Sequence, residues 1–93
     1  MAVLVSLCLL VAACSTTSGN ATGLVVAVDG SLTEVEAFTV LVEGEEMRFL
    51  PVEDGDYSFP LSHLREHQRT GEPVLVGWES RDDNLYALSL DDE

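Results

Sequence analysis

Five stretches between Gly23 and Leu90 alternate apolar and polar residues with a period of two, and this pattern constrains the fold most strongly. Such alternation is typical of strands that bury one face, because successive side chains point to opposite sides of a sheet. Three predicted strands come first, over residues 24–28, 38–42 and 47–52, and an acidic turn over residues 53–56 follows them. Pro51 has no N–H to donate, so the third strand should bulge, bend or end there.

Residues 59–71 break this pattern and predict one short helix. Pro60 suits its first turn, with Ser62 as an alternative cap, and Gly71 suits the position just beyond its C-terminal end. The residues spaced to form one buried helical stripe are Leu61, Leu64 and Gln68. So short a helix is stable only when it packs on a sheet.

Two more strands follow the helix and are joined by a hairpin turn at residues 81–84. The fourth has Val74, Val76 and Trp78 on one face, and the fifth has Tyr86, Leu88 and Leu90. The chain is therefore mainly β, in the order β-β-β-α-β-β. This is the order of the OB-fold, a small five-stranded barrel whose one short helix lies between strands three and four.

The segment from Phe59 to His67, followed by Gly71–Val74, resembles small uncharacterised actinobacterial proteins. The absence of lysine beside four arginines is in keeping with a GC-rich coding sequence. The resemblance implies an OB-like fold and carries no assigned activity.

Residues 1–13 form a charge-free apolar run that leads into Val11-Ala12-Ala13-Cys14. The run is too short to cross a bilayer, which needs about 20 residues, and its length suits a signal peptide. The small residues before Cys14 resemble a bacterial lipobox, which implies cleavage after Ala13 and lipidation of Cys14, for example with palmitate. The usual basic residue before the apolar run is missing, so the true start is expected upstream or elsewhere.

The predicted organisation is a lipoprotein signal peptide at residues 1–13, a lipidated N-terminus and flexible linker at 14–22, and an OB-like domain at 23–93. Cys8 and Cys14 both precede the domain, so neither can form a disulfide within it. The protein should be exported and lie on the extracytoplasmic side of the cell membrane, anchored by lipid at Cys14. A plain cleaved signal peptide and a buried N-terminal element are the alternatives.

The sequence has 17 acidic residues, four arginines and a net charge of −13. Nucleic-acid affinity comes mainly from lysine and arginine, so this balance argues against a nucleic-acid partner. It argues equally against binding flat on anionic lipid. It suits a cationic partner or a simply soluble acidic surface.

His63 and His67 lie on one helical face, with Glu66 nearby, in the H-x-x-E-H pattern of inverzincin metalloproteases. A catalytic zinc needs three fixed protein ligands, and one short helix supplies no third. We therefore assign no catalytic residue, metal or cofactor, and keep these three residues as candidates for adventitious metal binding. The simpler interpretation is that both histidines face solvent, with Glu66 and Arg65 in local ion pairs.

Carboxylates surround three successive turns, but without the ordered spacing of a calcium loop.

Of the aromatic residues that an OB-type binding face could use, Trp78 and Tyr86 are expected in the core. Tyr57, beside the acidic turn, is expected to be exposed.

These features predict a non-enzymatic, monomeric lipoprotein whose acidic OB-like domain binds an unknown envelope protein or small ligand. One alternative is a cytosolic, nucleic-acid-binding OB domain, in which residues 1–13 have another role. The other is a metal-binding hydrolase that uses His63, Glu66 and His67.

Overall fold

The computed structural model describes residues 17–93. The predicted signal peptide at residues 1–13, its cleavage after Ala13, the lipidation of Cys14 and the start of the linker lie outside the described residues. Within residues 17–93, no helix is long and apolar enough to cross a membrane.

Five strands close into a barrel over one short helix. The elements are β1 (Ser18–Gly30), β2 (Val35–Val42), β3 (Glu45–Tyr57), a 3-10 turn (Leu61–His63), α1 (Leu64–Thr70), β4 (Val74–Arg81) and β5 (Asn84–Asp92). Neighbouring strands follow the order β1-β2-β3-β5-β4, and β4 pairs back with β1. Only the β3–β5 pair is parallel among these strands. The predicted β-β-β-α-β-β order and OB-like barrel are confirmed.

Strand β1 begins earlier than the sequence predicts. Its first half, Ser18–Gly23, pairs with β4, and its second half, from Leu24, pairs with β2. The predicted linker is therefore strand from Ser18 onward, and a domain boundary at residue 23 is wrong. The sequence does not predict this first half of β1, because its residues are small and mostly polar. Only Ala21 among them is buried, so there is no apolar alternation to recognise.

Two register shifts reverse the alternation of side chains within strands. In β1 the shift leaves Val26 unpaired and 38% exposed. In β5 the shift skips Leu88, so that Ala87 and Leu90 are the buried residues. The predicted buried face with Tyr86 and Leu88 is therefore wrong, because a bulge adds one residue and moves the residues beyond it to the other face.

Strand β3 shows the irregularity that Pro51 predicts. Its pairing with β5 shifts register between Pro51 and Asp56. The strand nevertheless continues to Tyr57, so the acidic turn predicted over residues 53–56 lies inside a strand.

The core fills the barrel and is closed at one end by the helix. Its fully buried side chains include Phe38, Val40, Phe49, Leu64, Val74, Val76 and Leu90. Leu61 packs partly against this core, but Gln68 is exposed and donates a hydrogen bond to Val26 O, so its predicted burial is wrong. Gly71 ends the helix in the left-handed conformation, at φ 79°, as predicted.

The start of the helix differs from the prediction in detail. Pro60 has an extended backbone and precedes the 3-10 turn rather than forming part of a helical turn. No side-chain cap bond is made at the start of either the 3-10 turn or α1, so Ser62 is not a cap.

The burial of the aromatic residues differs from the prediction. Trp78 is partly buried against the core and Tyr86 is partly buried. Tyr57, expected to be exposed, is also packed partly against the core. Its hydroxyl accepts a hydrogen bond from Val52 N at 2.9 Å and donates one to Ala87 O at 2.7 Å. This hydroxyl therefore links β3 to β5 beside the irregular part of their pairing.

Gly23 lies where β1 changes partner from β4 to β2, and no side chain fits there. A Cβ atom added to Gly23 would lie 2.1 Å from Leu41 O. We expect Gly23→Ala to lower the free energy of unfolding by about 1–3 kcal/mol, because the β2 backbone must move. Urea denaturation checks this value. Leu24→Ala changes the adjacent, 42% exposed residue and is the control; equal losses in both variants would contradict the steric explanation.

The Tyr57 hydroxyl makes stability fall at alkaline pH. Burial raises the pKa of Tyr57 above its usual 10.0, and the Asp54 charge adds to this, while the hydrogen bond from Val52 opposes it. The unfolded chain therefore loses this proton first as the pH rises, so stability declines above about pH 10 and is unaffected near neutrality. Urea midpoints at pH 8 and 10.5 measure the decline. Tyr57→Phe should reduce it and Tyr86→Phe should not; an undiminished decline in Tyr57→Phe would refute the assignment.

Candidate metal centre

The end of α1 and the end of β5 meet at the same end of the barrel. Gly71 N donates to His67 O and stops the helix, after which the chain turns into β4. The first residue of β4, Val74, pairs with Asp92 of β5. This pairing brings Asp92 next to the last turn of the helix.

His67 is the one buried polar or charged residue among residues 17–93, with 1% of its surface exposed. Its Nδ1 lies 2.9 Å from Glu72 O and its Nε2 lies 2.7 Å from Asp92 Oδ1. A backbone carbonyl and a carboxylate are both hydrogen-bond acceptors. The imidazole is therefore held between two acceptors at the base of a small cleft.

Two further rings complete the surroundings of His67. Phe59 stacks on it, with ring centroids 5.2 Å apart and planes inclined by 27°. The ring of the partly buried His63 lies nearly perpendicular to it, with centroids 4.9 Å apart and planes inclined by 78°. The ligand atoms of His63, His67 and Asp92 all lie within 4.8 Å of one another. No other such group of three occurs in the part of the chain that the structure describes.

The sequence identified two members of this cluster and missed the third. His63 and His67 do share a helical face, but the interpretation in which both face solvent is wrong for the buried His67. Glu66 lies elsewhere, with Oε2 2.6 Å from Arg69 Nη2 on the exposed side of the helix. The carboxylate of the cluster belongs to Asp92. No local pattern joins Asp92 to the helix, and only the β4–β5 register places it there.

A second concave surface lies between β2, β3 and the 3-10 turn. This groove has a volume of about 590 Å³. Apolar residues such as Val35, Val52 and Leu61 line it together with the carboxylates of Glu34 and Glu36. Its acidic lining is in keeping with the net charge of −13, and it holds no group of three metal-ligating side chains.

No protein-family model and no curated protein sequence match this chain. Among solved structures, CusF from Escherichia coli with Ag(I) is similar, with a TM-score of 0.63 and 16% identity over 86% of this chain and 96% of CusF. A second Ag(I) CusF structure gives 0.61 and 16% over 83% and 99%. The structure of apo-CusF from Escherichia coli gives 0.63 and 15% over 89% and 95%. At these identities the likeness shows the barrel fold.

The contact between Asp92 and His67 should hold the end of β5 against the helix. We expect Asp92→Ala to lower the free energy of unfolding by about 1 kcal/mol, since it leaves His67 Nε2 without its partner. The loss is modest because the Asp92 side chain is 65% exposed and water can enter. Urea denaturation in the presence of a chelator measures it. Asp91→Ala, the exposed neighbour, is the control; an equal effect there would refute the role of this contact.

Proposed function

We propose that this protein is a membrane-anchored lipoprotein of the cell envelope, and that its acidic OB-like barrel is a non-enzymatic module that binds a cationic ligand. The observation that carries the proposal is the position of Cys14, at the end of a charge-free apolar run and just ahead of the barrel. The resemblance of Val11–Cys14 to a lipobox supports cleavage after Ala13 and lipidation of Cys14.

The short distance from Cys14 to the barrel supports a function at the membrane surface. Strand β1 begins at Ser18, so only residues 15–17 lie between it and Cys14. Fully extended, this span is at most about 14 Å. In the proposed anchored form the barrel therefore stays next to the lipid headgroups and cannot reach far from them.

In the proposed anchored form, the pairing of β1 with β4 sets which end of the barrel lies nearest the tether. Ser18 pairs with Glu79, and Ser80 N donates to Thr17 O, so the chain enters beside the β4–β5 turn. His67 and Asp92 lie near the other end of β4, beside Val74. The rise along this strand is up to about 24 Å. In the anchored form the histidine cluster thus lies away from the tether and accessible from the envelope.

The charge of the barrel and its likeness to CusF support a cationic ligand. A net charge of −13 on a small protein raises the local concentration of cations. The similar CusF structures were solved with Ag(I) and as apo protein, so a barrel of this fold can bind a metal ion. Binding rather than hydrolysis is proposed because Glu66, the one candidate general base in the helix, is paired with Arg69 outside the histidine cluster.

Lipidation at Cys14 is tested by metabolic labelling with an alkyne fatty acid. The wild-type protein should incorporate the label and fractionate with membranes, whereas Cys14→Ser should lose the label. Cys8→Ser is the matched control, because it removes a thiol from the same apolar segment and should leave labelling intact. A label that persists in Cys14→Ser, or that disappears only in Cys8→Ser, would overturn the anchor.

A further inference from the structure

We propose that His63, His67 and Asp92 form a site for one borderline transition-metal ion of the Zn²⁺, Ni²⁺ or Cu²⁺ class. This inference rests on the proposed binding function and names its ligand. The inference rests on the buried imidazole of His67, whose two ring nitrogens each lie against a hydrogen-bond acceptor and which lies next to the imidazole of His63. The ion joins the end of α1 to the end of β5.

His67 can offer its Nε2 atom to a metal ion. A neutral imidazole has one N–H, which can satisfy only one of its two neighbours. In the tautomer with the proton on Nδ1, Glu72 O accepts this N–H at 2.9 Å. The Nε2 lone pair is then left facing Asp92 Oδ1 at 2.7 Å. A metal ion bound by both Nε2 and the carboxylate makes this contact attractive.

The Nδ1 contact matches the arrangement of histidines that bind metals. Such a histidine usually donates its second ring N–H to a backbone carbonyl or a carboxylate, which fixes the ring and its tautomer. In the tautomer with the proton on Nδ1, the bond from His67 to Glu72 O does this and leaves Nε2 as the ligand atom. The stacked ring of Phe59 also restricts the imidazole. Most of the ordering that a ligand needs is therefore already present in the fold.

The remaining two ligands need only small movements. Zinc binds imidazole nitrogens and carboxylate oxygens at about 2.0–2.2 Å, so ligand atoms on one tetrahedral ion lie about 3–4 Å apart. The three ligand atoms already lie within 4.8 Å of one another. The longest separation must therefore contract by about 1 Å. His63 is partly exposed and Asp92 ends its strand, so both side chains have room to rotate.

The donor set selects the class of metal ion. Two imidazole nitrogens and one carboxylate oxygen suit zinc, copper(II) and nickel(II), whereas soft ions prefer sulfur and hard ions prefer only oxygen. No cysteine or methionine belongs to this group of ligands. Three protein ligands leave a fourth position open to water or to a donor from a partner. Glu72 and Glu93 line a 270 Å³ cleft together with His67 and Asp92 and make this side of the cluster attractive to a divalent cation, while His63 borders it from outside the cleft.

The test is isothermal titration of Zn²⁺ into the intact protein, purified in detergent without a histidine tag and stripped of metal. We expect binding to saturate at one ion per chain at pH 7.5, whereas diffuse attraction to the many exposed carboxylates has no such stoichiometry. His63→Gln and Asp92→Asn should each weaken binding about 10-fold or more. Both replace residues that are not fully buried, and the unfolding temperature of each apo variant verifies its fold.

Glu66→Gln and Asp91→Asn are the matched controls, since each removes a neighbouring carboxylate that lies outside the cluster. Both should retain stoichiometric binding. Binding that is absent in the wild type, involves many ions, or is unchanged in His63→Gln and Asp92→Asn would overturn the proposal. Cys14→Ser should bind Zn²⁺ like the wild type, so failure of the metal site and failure of the lipid anchor give different results.

Discussion

The closure of the barrel through β1 is the constraint on which the rest of the structure depends. One continuous strand pairs first with β4 and then with β2, and the change occurs at Gly23, where the backbone of β2 leaves no space for a side chain. Closure leaves no unpaired edge among the five strands. It matters because residues 17–93 contain no cysteine, so packing and backbone pairing must hold the domain together.

Closure also determines what lies beside the helix. With β4 fixed between β1 and β5, the end of β5 is aligned with the start of β4, and Asp92 meets the last turn of α1. The helix ends at Gly71, which lets the chain turn at once and presents Glu72 O to His67. The cluster of His63, His67 and Asp92 therefore follows from the register of the strands and from the end of the helix at Gly71. No long loop has to be ordered to form it.

The sequence predicts the order of elements because that information is local. Alternating residues, Pro51 and Gly71 each act within a few positions, and the structure follows all three. Prediction from the sequence fails where pairing between distant strands determines the structure. The small residues from Ser18 become strand only because β4 lies alongside. One extra residue at Leu88 places Ala87 in the core on the same side as Leu90, which the alternation predicts correctly. Asp92 joins His67 for the same reason, across 25 positions of sequence.

The burial of His67 has a cost that bears on what the site does. A buried polar side chain costs free energy unless hydrogen bonds replace its hydration, so an apolar side chain fills such a position more readily. Here the imidazole contacts a carbonyl and a carboxylate that both favour a cation, and it lies against Phe59. The cation that we propose at Nε2 gives this arrangement an energetic use. In a protein with a net charge of −13, it would be held at one defined position by geometry, whereas the remaining carboxylates attract cations only diffusely.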